Sequence, residues 1–488
     1  MARALDIVKV RFLRGPNIYH PEKTVVKAII EPYGELGRSY ARNHPFMVSY
    51  ISKLFPEISK MFPNGSRGLS HGDYPLYVIL PYLAVALQNR VSWHESVSFA
   101  SYIEKEEMDL PVVIFEYLYE HVGEEALYIA RDIIERLIEN REPPLDEWIE
   151  ELRKIYFRYA YGPSTRAIIE AARGRGIPII RLDQKANLVQ LGYGKYRRLV
   201  WASTTDRTSL IGTDIVQDKE LTKRILESAG IPVPYGFVVR SEREALRAFK
   251  RIGTSVVVKP LKGSKGRGIT TGIMGEEELL NAFRRAKEIS DDVVVEEYVK
   301  GYDHRILVVG DKVVAVARRL PAHVVGDGKH TVKELIEIEN RNPLRGEGHE
   351  LPLTKISIDE DTIEMLEKQG LSLDSVPEKG RIVWLKSTAN LSTGGISEDL
   401  TDVIHPEIEM MAIRIAKLLC MDICGIDAIA VDISKPLDES GLKVIEVNAA
   451  PGLRMHLYPY KGKPRPVGKA IVDLLFPPGS KTRIPIIA

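Results

Sequence analysis

Apolar positions recur along this chain with two periods. From Glu124 to Asn140, the residues Leu127, Ala130, Ile134, Leu137 and Ile138 fall on one face, which predicts an amphipathic helix. Lys219 to Gly230 predicts another, ended by its glycine and kept from continuing by Pro232 and Pro234. Short apolar or β-branched runs predict strands at Ile7 to Leu13, Ser255 to Lys259, Ile306 to Val309, Gly425 to Asp432 and Val444 to Val447. Residues 1 to about 160 therefore combine a short opening strand with helices, punctuated at Glu142-Pro-Pro-Leu-Asp146. From Gly162 helices and strands alternate, so the fold class is α/β. Residues 330 to 380 read as charged and helical, with Asn342 to Gly346 as a turn, and no internal repeat or low-complexity tract is found.

Three segments carry candidate chemistry. In Val444-Ile-Glu-Val-Asn-Ala-Ala-Pro-Gly452, Glu446 and Asn448 share one side of a strand while Ile445 and Val447 are expected in the core. Two oxygen donors on one face suit a hard cation such as Mg²⁺, which binds through a few carboxylates plus nucleotide phosphates. The alternative is a buried strand whose polar residues cap a turn. Upstream, Asp427 and Asp432 lie on opposite faces of one strand, and Ser434 to Gly441 would return the chain as a hairpin. One aspartate can then join Glu446 and Asn448, and Asp427 is the favoured one. The strand ending at Lys259 runs into Leu261-Lys-Gly-Ser-Lys-Gly-Arg-Gly-Ile269, where three glycines among three cations can bring N–H groups and charge onto phosphates. It lacks the P-loop spacing. In Val293 to Arg305, Glu296 at a strand end can meet an adenine amino group, and a second acid can hold a ribose; a solvated loop is the other reading.

The order of these segments, lysine and glycine loop, acidic hinge, acidic metal pair, resembles the ATP-grasp superfamily. Gly162-Pro-Ser-Thr165, Gln190 to Gly194, Gly230 to Pro234, Leu320 to Gly328, Thr388 to Gly395, and Asn448 to Gly452 with Arg454-Met-His456 resemble the cyanophycin synthetase family, from about Arg14 to the last residue. The resemblance implies an α+β N-terminal domain over 1–160, an ATP-grasp fold over 161–476, and a linker over 477–488 toward a Mur-ligase-like module, before which the chain stops at Ala488. Either the chain is cut at a domain boundary or the protein is a natural half-enzyme. It further implies that Lys219 and Lys259 contact phosphates, and that the loop of Gly263, Ser264, Lys265, Gly266, Arg267 and Gly268 closes over ATP, with Lys265 and Arg267 near the γ-phosphate. Glu296, Tyr298 and Val299 would hold adenine, Asp303 the ribose, and Asp427, Glu446 and Asn448 the Mg²⁺, with Arg305 and Arg454 stabilising negative charge.

The implied activity is ATP-dependent carboxylate–amine ligation: a carboxylate becomes an acyl phosphate, and L-aspartate is added to the backbone of an aspartate–arginine polymer. A related ligase adding another amino acid to a peptide or cell-wall precursor, and a non-catalytic polymer-binding scaffold, are the rival readings. Implied partners are aspartate, a peptide or polymer primer, further copies of the chain, commonly as a tetramer, and a separate Mur-ligase-like protein. Some family members bind metal at an N-terminal H-x-x-E-H helix, where this chain has Val78, Pro81 and Tyr82. None ligates Zn²⁺, so a hydrolytic site is not expected there.

Composition narrows the setting. A length of 488 residues allows two to four domains, and 68 Lys plus Arg against 67 Asp plus Glu give a net charge of +1, no bulk reason to bind nucleic acid or membrane. No signal peptide or membrane-length apolar run is evident, which points to the cytoplasm. Cys420 and Cys424, one helical turn apart, read as core thiols. Gly68-Leu-Ser-His-Gly72 matches G-x-S-x-G without the preceding apolar strand of a nucleophile elbow. His304, His323, His330 and His349 lack metal spacing; His323 could contact substrate or simply be a hydrogen-bonded histidine. Thr388 to Gly395 and Arg454 to His456 are the places to look for choice of the amino acid.

Overall fold

The apolar runs that begin at Val25 and Val112 are too continuous to show a period, and both become central strands with two covered faces. Leu5–Leu13 (β1), Val25–Pro32 (β2), Ala100–Ile103 (β3) and Val112–Glu116 (β4) form an antiparallel sheet in the order β1-β2-β4-β3. Sequence pattern suggested only the first, because periodicity alone does not separate a fully buried strand from a buried helical segment. Helices Leu80–Val91 and Glu120–Ile138 pack on this sheet. The second buries Leu127, Ala130, Ile134, Leu137 and Ile138, the face expected, but starts at Glu120 and ends before Asn140, whose φ is 54°. Val78, Pro81 and Tyr82 are buried, Tyr82 against the ring of Phe62. Ile179–Arg181 (β5) and Leu188–Leu191 (β6) add a hairpin.

The computed structural model describes residues 3–63, 65–93, 95–262, 268–346, 351 and 353–483. The chain divides into two units, Met1–Tyr161 with Ile177–Gly194, and Gly162–Gly176 with Lys195–Ala488. In the second unit Arg198–Trp201 (β7) and Thr204–Thr205 (β8) pair as a short hairpin. Gly236–Val239 (β9), Val256–Pro260 (β10), Thr270–Ile273 (β11) and Val293–Glu297 (β12) form a sheet in the order β11-β10-β12-β9. Val256, Val258, Val293 and Val295 alternate into a core with Ala245, Ala248, Leu279 and Phe283 of the helices Glu242–Ile252 and Glu276–Lys287. Lys259 and Glu296 are thereby left on the other face.

Tyr302–Val309 (β13) and Lys312–Leu320 (β14) begin a second sheet. The chain then builds a small lobe. In it His323–Val325 (β15) pairs with Ile382–Trp384 (β18), and Arg345–Gly346 (β16) pairs with Leu353–Thr354 (β17). The expected helical stretch from 330 to 380 is two separate helices, Val332–Asn340 and Glu360–Lys368, each started by a capping box. Ile396–Asp399 (β19), Ile423–Ala430 (β20) and Lys443–Asn448 (β21) complete the second sheet, antiparallel in the order β19-β14-β13-β20-β21.

One face of that sheet is core. Ile306, Val308, Val316, Ile426 and Ala428 meet Ile408, Met411, Ala412 and Ile415 of helix Pro406–Leu418. β21 departs from simple alternation: Asp427 opposes Glu446 but Ala428 opposes Val444. This bulge sends Val444 and Val447 into the core and leaves Ile445 half-buried, correcting the expectation that Ile445 would be a core residue.

Three smaller expectations also change or are settled here. Cys420, exposed at φ 54°, lies past the helix end and Cys424 is buried on β20, so the two do not share a helical turn. Gly68 to His71 lie in the helix Gly65–His71, without the strand-to-helix turn of a nucleophile elbow. Among the described residues no helix is long and apolar enough to cross a membrane.

Candidate functional site

Pairing in the five-stranded sheet puts Asp399 (β19), Ala317 (β14), Arg305 (β13), Asp427 (β20) and Glu446 (β21) in one row, each the Cα partner of the next. Residues so paired project to the same face. Flanking rows on that face set Asp303 opposite Arg319, and Gly425 opposite Asn448. The residues between them, such as Ile306 and Ile426, fill the opposite core. Alternation along each strand thus collects the charge on one side.

The centre of the row is an ionic network. Arg305 Nε donates to Asp427 Oδ1, and its Nη2 donates to Oδ2 at 3.1 Å. Arg319 Nη2 lies 3.2 Å from Asp427 Oδ2 and 2.6 Å from Asp303 Oδ1. Charges alternate along the chain Asp303, Arg319, Asp427, Arg305, which is what allows this much charge on a largely buried face. Burial pushes the Asp427 carboxyl up, yet Arg305 and Arg319 outweigh it and hold the group below the ordinary aspartate range. At Asp303 burial wins over Arg319, and with the nearby Asp427 charge it carries the carboxyl above that range.

Asn448 joins the network at its other end. Its Nδ2 donates to Glu446 Oε1 at 3.1 Å and to Asp427 Oδ2 at 3.4 Å. Lys219 Nζ stands 2.9 Å from Glu446 Oε2. That lysine is placed by a helix start: Asp218 accepts the N–H groups of Glu220 and Leu221, making Lys219 the first residue of helix Lys219–Ser228. The structure therefore brings Asp427, Glu446, Asn448 and Lys219 together, while Asp432 sits in the following turn, bonded to Ser434. Two carboxylates and an amide, rotated to present its oxygen, are hard donors of the kind Mg²⁺ takes. Among the described residues no cluster of three or more His, Cys, Asp or Glu could hold a metal ion, so a third donor here would have to be the Asn448 amide.

The other sheet contributes a second cluster. Lys259 Nζ donates to Glu296 Oε1, and Lys223 Nζ donates to Glu296 Oε2 at 3.1 Å. Glu296 is only 5% exposed. Its partner on β9 is Gly236, where a Cβ would overlap the Cβ of Glu296. Glu297 turns the other way, to the Tyr235 N–H at 2.9 Å and Lys443 at 3.1 Å. Beyond it, the Tyr298 N–H donates to Ser255 O at 2.8 Å and its ring is exposed; Val299 follows in the link to β13.

The remaining expected residues fall elsewhere. Arg454, in the short helix Arg454–Leu457, donates from Nη2 to Thr354 Oγ1 at 3.2 Å, facing the small lobe, whereas Arg305 lies in the row. His456 is buried, neither ring nitrogen is hydrogen-bonded among the described residues, and burial above all pushes it down to about 3. Leu391, in the stretch Thr388 to Gly395, packs with Ala317 and Met455 beside the row, and Gly394 O accepts from Arg345 Nη1 at 3.2 Å. His323 Nδ1 lies 2.9 Å from Pro321 O. Gly268 adopts φ +72°, while Gly263, Ser264, Lys265, Gly266 and Arg267 lie outside the described residues.

Sequence reasoning missed Lys223, Arg319 and Asp399. Lys223 was findable, since it lies four residues after Lys219 on the same helix face. Arg319 was not, because only the register of β14 decides whether Arg318 or Arg319 faces Asp303.

This geometry can be set beside known proteins. The RimK-like ATP-grasp domain matches residues 216–327 and 386–460, and the unmatched stretch between them holds most of the small lobe. The cyanophycin synthetases of Nostoc sp. and Synechocystis sp. are each 39% identical over 99% of this chain. The chain carries a RimK-like ATP-grasp domain and is similar to cyanophycin synthetases along nearly its whole length. It spans about half the length of those relatives, 54% and 56%. The glutathione biosynthesis bifunctional protein GshAB of Mannheimia succiniciproducens is 36% identical over 64% of this chain and 42% of its own length. A bifunctional glutathione synthetase from Pasteurella multocida shares the fold, with a TM-score of 0.55 and 23% identity over 93% of this chain and 81% of that one.

Proposed function

We propose that this cyanophycin synthetase-like ligase uses ATP and Mg²⁺ to activate a peptide C-terminal carboxylate and joins it to the amine of L-aspartate. The observation that carries this reading is the unbroken run of contacts from Lys219, at a helix start, through Glu446, Asn448 and Asp427 to Arg305 on one sheet face. Lys219 and Lys259 would grip phosphates, Glu296, Tyr298 and Val299 would hold adenine, and Asp303 the ribose. Asp427, Glu446 and Asn448 would hold Mg²⁺, which when bound supplies charge stabilisation for phosphoryl transfer. Lys265 and Arg267 would close over the γ-phosphate and exclude water, while Arg305 and Arg454 offset charge on the reacting carboxylate.

The chemistry balances simply. A carboxylate oxygen attacks the γ-phosphorus and ADP leaves, giving an acyl phosphate. The aspartate nitrogen then attacks the acyl carbon, phosphate leaves with the C–O electron pair, and the nitrogen loses a proton to solvent. Binding, alignment and fixed charge do the work, so no side-chain nucleophile is required. The primer is an aspartate–arginine polymer, the working form is an oligomer of this chain, and the reaction belongs in the cytoplasm where ATP is made available.

The likeness to the glutathione protein over 64% of the chain supports a second reading, a related ligase that adds a different amino acid. Phosphate release with ATP, Mg²⁺ and each amino acid in turn, with and without a short aspartate–arginine primer, separates the two. Release that needs aspartate and primer supports the first, and dependence on another amino acid the second. No release in any mixture, with no nucleotide bound, rejects both in favour of a scaffold.

A further inference from the structure

Glu296 is gripped by two ammonium groups at once. Lys259 of β10 donates to Oε1 and Lys223 of helix Lys219–Ser228 donates to Oε2 at 3.1 Å. Among the described residues Lys259 and Lys223 are the charged groups that act on it most strongly. From β9 it meets only Gly236, which has no side chain, and Lys219, one turn before Lys223, is held by Glu446 at 2.9 Å. Burial pushes the Glu296 carboxyl up, and the two lysines outweigh it and hold it below the ordinary glutamate range.

In the nucleotide reading of this site, Lys259 has to turn from Glu296 to a phosphate. That move would strand a buried carboxylate unless another cation stays behind. We infer that Lys223 is a positioning residue that keeps Glu296 paired while Lys259 leaves it for the nucleotide. The inference rests on the nucleotide reading and adds to it a residue that need never touch ATP. Its consequence is a protonic one. Without the Lys223 ammonium, ATP either fails to draw Lys259 away or draws it away only as Glu296 takes up a proton. A lysine that merely packed against the sheet would produce no such coupling.

The test is calorimetric titration of the full chain with a non-hydrolysable ATP analogue and Mg²⁺, at mildly acidic and mildly alkaline pH, in buffers of different ionisation enthalpy. Wild type is expected to bind without proton uptake at Glu296. Lys223→Met should bind roughly ten- to a hundredfold more weakly at the alkaline pH, the worth of a charge-assisted hydrogen bond, and should recover toward wild type at the acidic pH with uptake of a proton. Lys223→Arg should behave as wild type. The double variant Lys223→Met with Glu296→Gln should lose both the pH dependence and the proton uptake, since the group that takes up the proton is gone. Binding by Lys223→Met that matches wild type overturns the inference, and so does a loss that is the same at both pH values, or a pH dependence that persists in the double variant. Failure of wild type to bind the analogue is a different result, since it removes the nucleotide reading itself.

Discussion

Replacing Arg305 with methionine keeps most of the aliphatic stem and removes the guanidinium that holds Asp427. Both side chains are 9% exposed, so the pair is shielded from water. The variant loses the bond to Oδ1 and the 3.1 Å bond to Oδ2, while Arg319 remains 3.2 Å from Oδ2. Breaking a buried ion pair by removing one partner costs about 3–5 kcal/mol, and the surviving arginine puts this case near the lower end, about 3 kcal/mol. Urea unfolding of the full chain without nucleotide, followed by tryptophan fluorescence, measures it. The sign of the pH dependence is fixed by Asp427, whose folded-state carboxyl lies below its ordinary range. Its stabilisation is present above the unfolded aspartate value and is lost as pH falls through the folded value. The gap between wild type and Arg305→Met should therefore narrow on acidification, and adding Asp427→Asn should recover part of the loss. A loss below about 1 kcal/mol, or a gap that does not change with pH, refutes the claim that Asp427 depends on Arg305.

Further outcomes follow from the same geometry. Glu446→Gln should leave primer binding intact and abolish turnover, read by primer pull-down beside phosphate release. Gly236→Ala drives a Cβ into the Cβ of Glu296 and against Val295 O, and should cost about 1–3 kcal/mol in urea unfolding. His304 and His456 are pushed down to about 4 and about 3, above all by burial, so each is neutral when folded and protonates near its ordinary value when unfolded. Stability should be fully present above that ordinary value, about 6.5, and should fall with acidification by up to about 1.4 kcal/mol per pH unit for each histidine. Unfolding across a pH series should show this slope, and His456→Gln should flatten it.

What could be read in the sequence was local. Glu446 and Asn448 two residues apart on an apolar strand, and Asp427 on the strand before it, follow from side-chain alternation, and the sheet places all three together. What pairing decides was not legible. The row through Ala317 and Asp399 needs the registers of β13, β14 and β19, which join segments far apart in the chain. The bulge that displaces Ile445 is likewise a property of β20 against β21. β2 and β4 escaped because strands covered on both faces lose the alternation that marks a half-buried one. Roles for individual side chains came from resemblance to a family, while their partners, Lys223 for Glu296 and Arg319 for Asp303, came only from the fold.

The central claim is that this face turns a carboxylate into an acyl phosphate. A short aspartate–arginine primer labelled with oxygen-18 in its C-terminal carboxylate, incubated with the full chain, ATP, Mg²⁺ and aspartate, tests it directly by mass spectrometry of the products. The account predicts that each phosphate released carries one labelled oxygen, in step with each amide formed. Amide formation with the label in AMP, or with unlabelled phosphate, would contradict it.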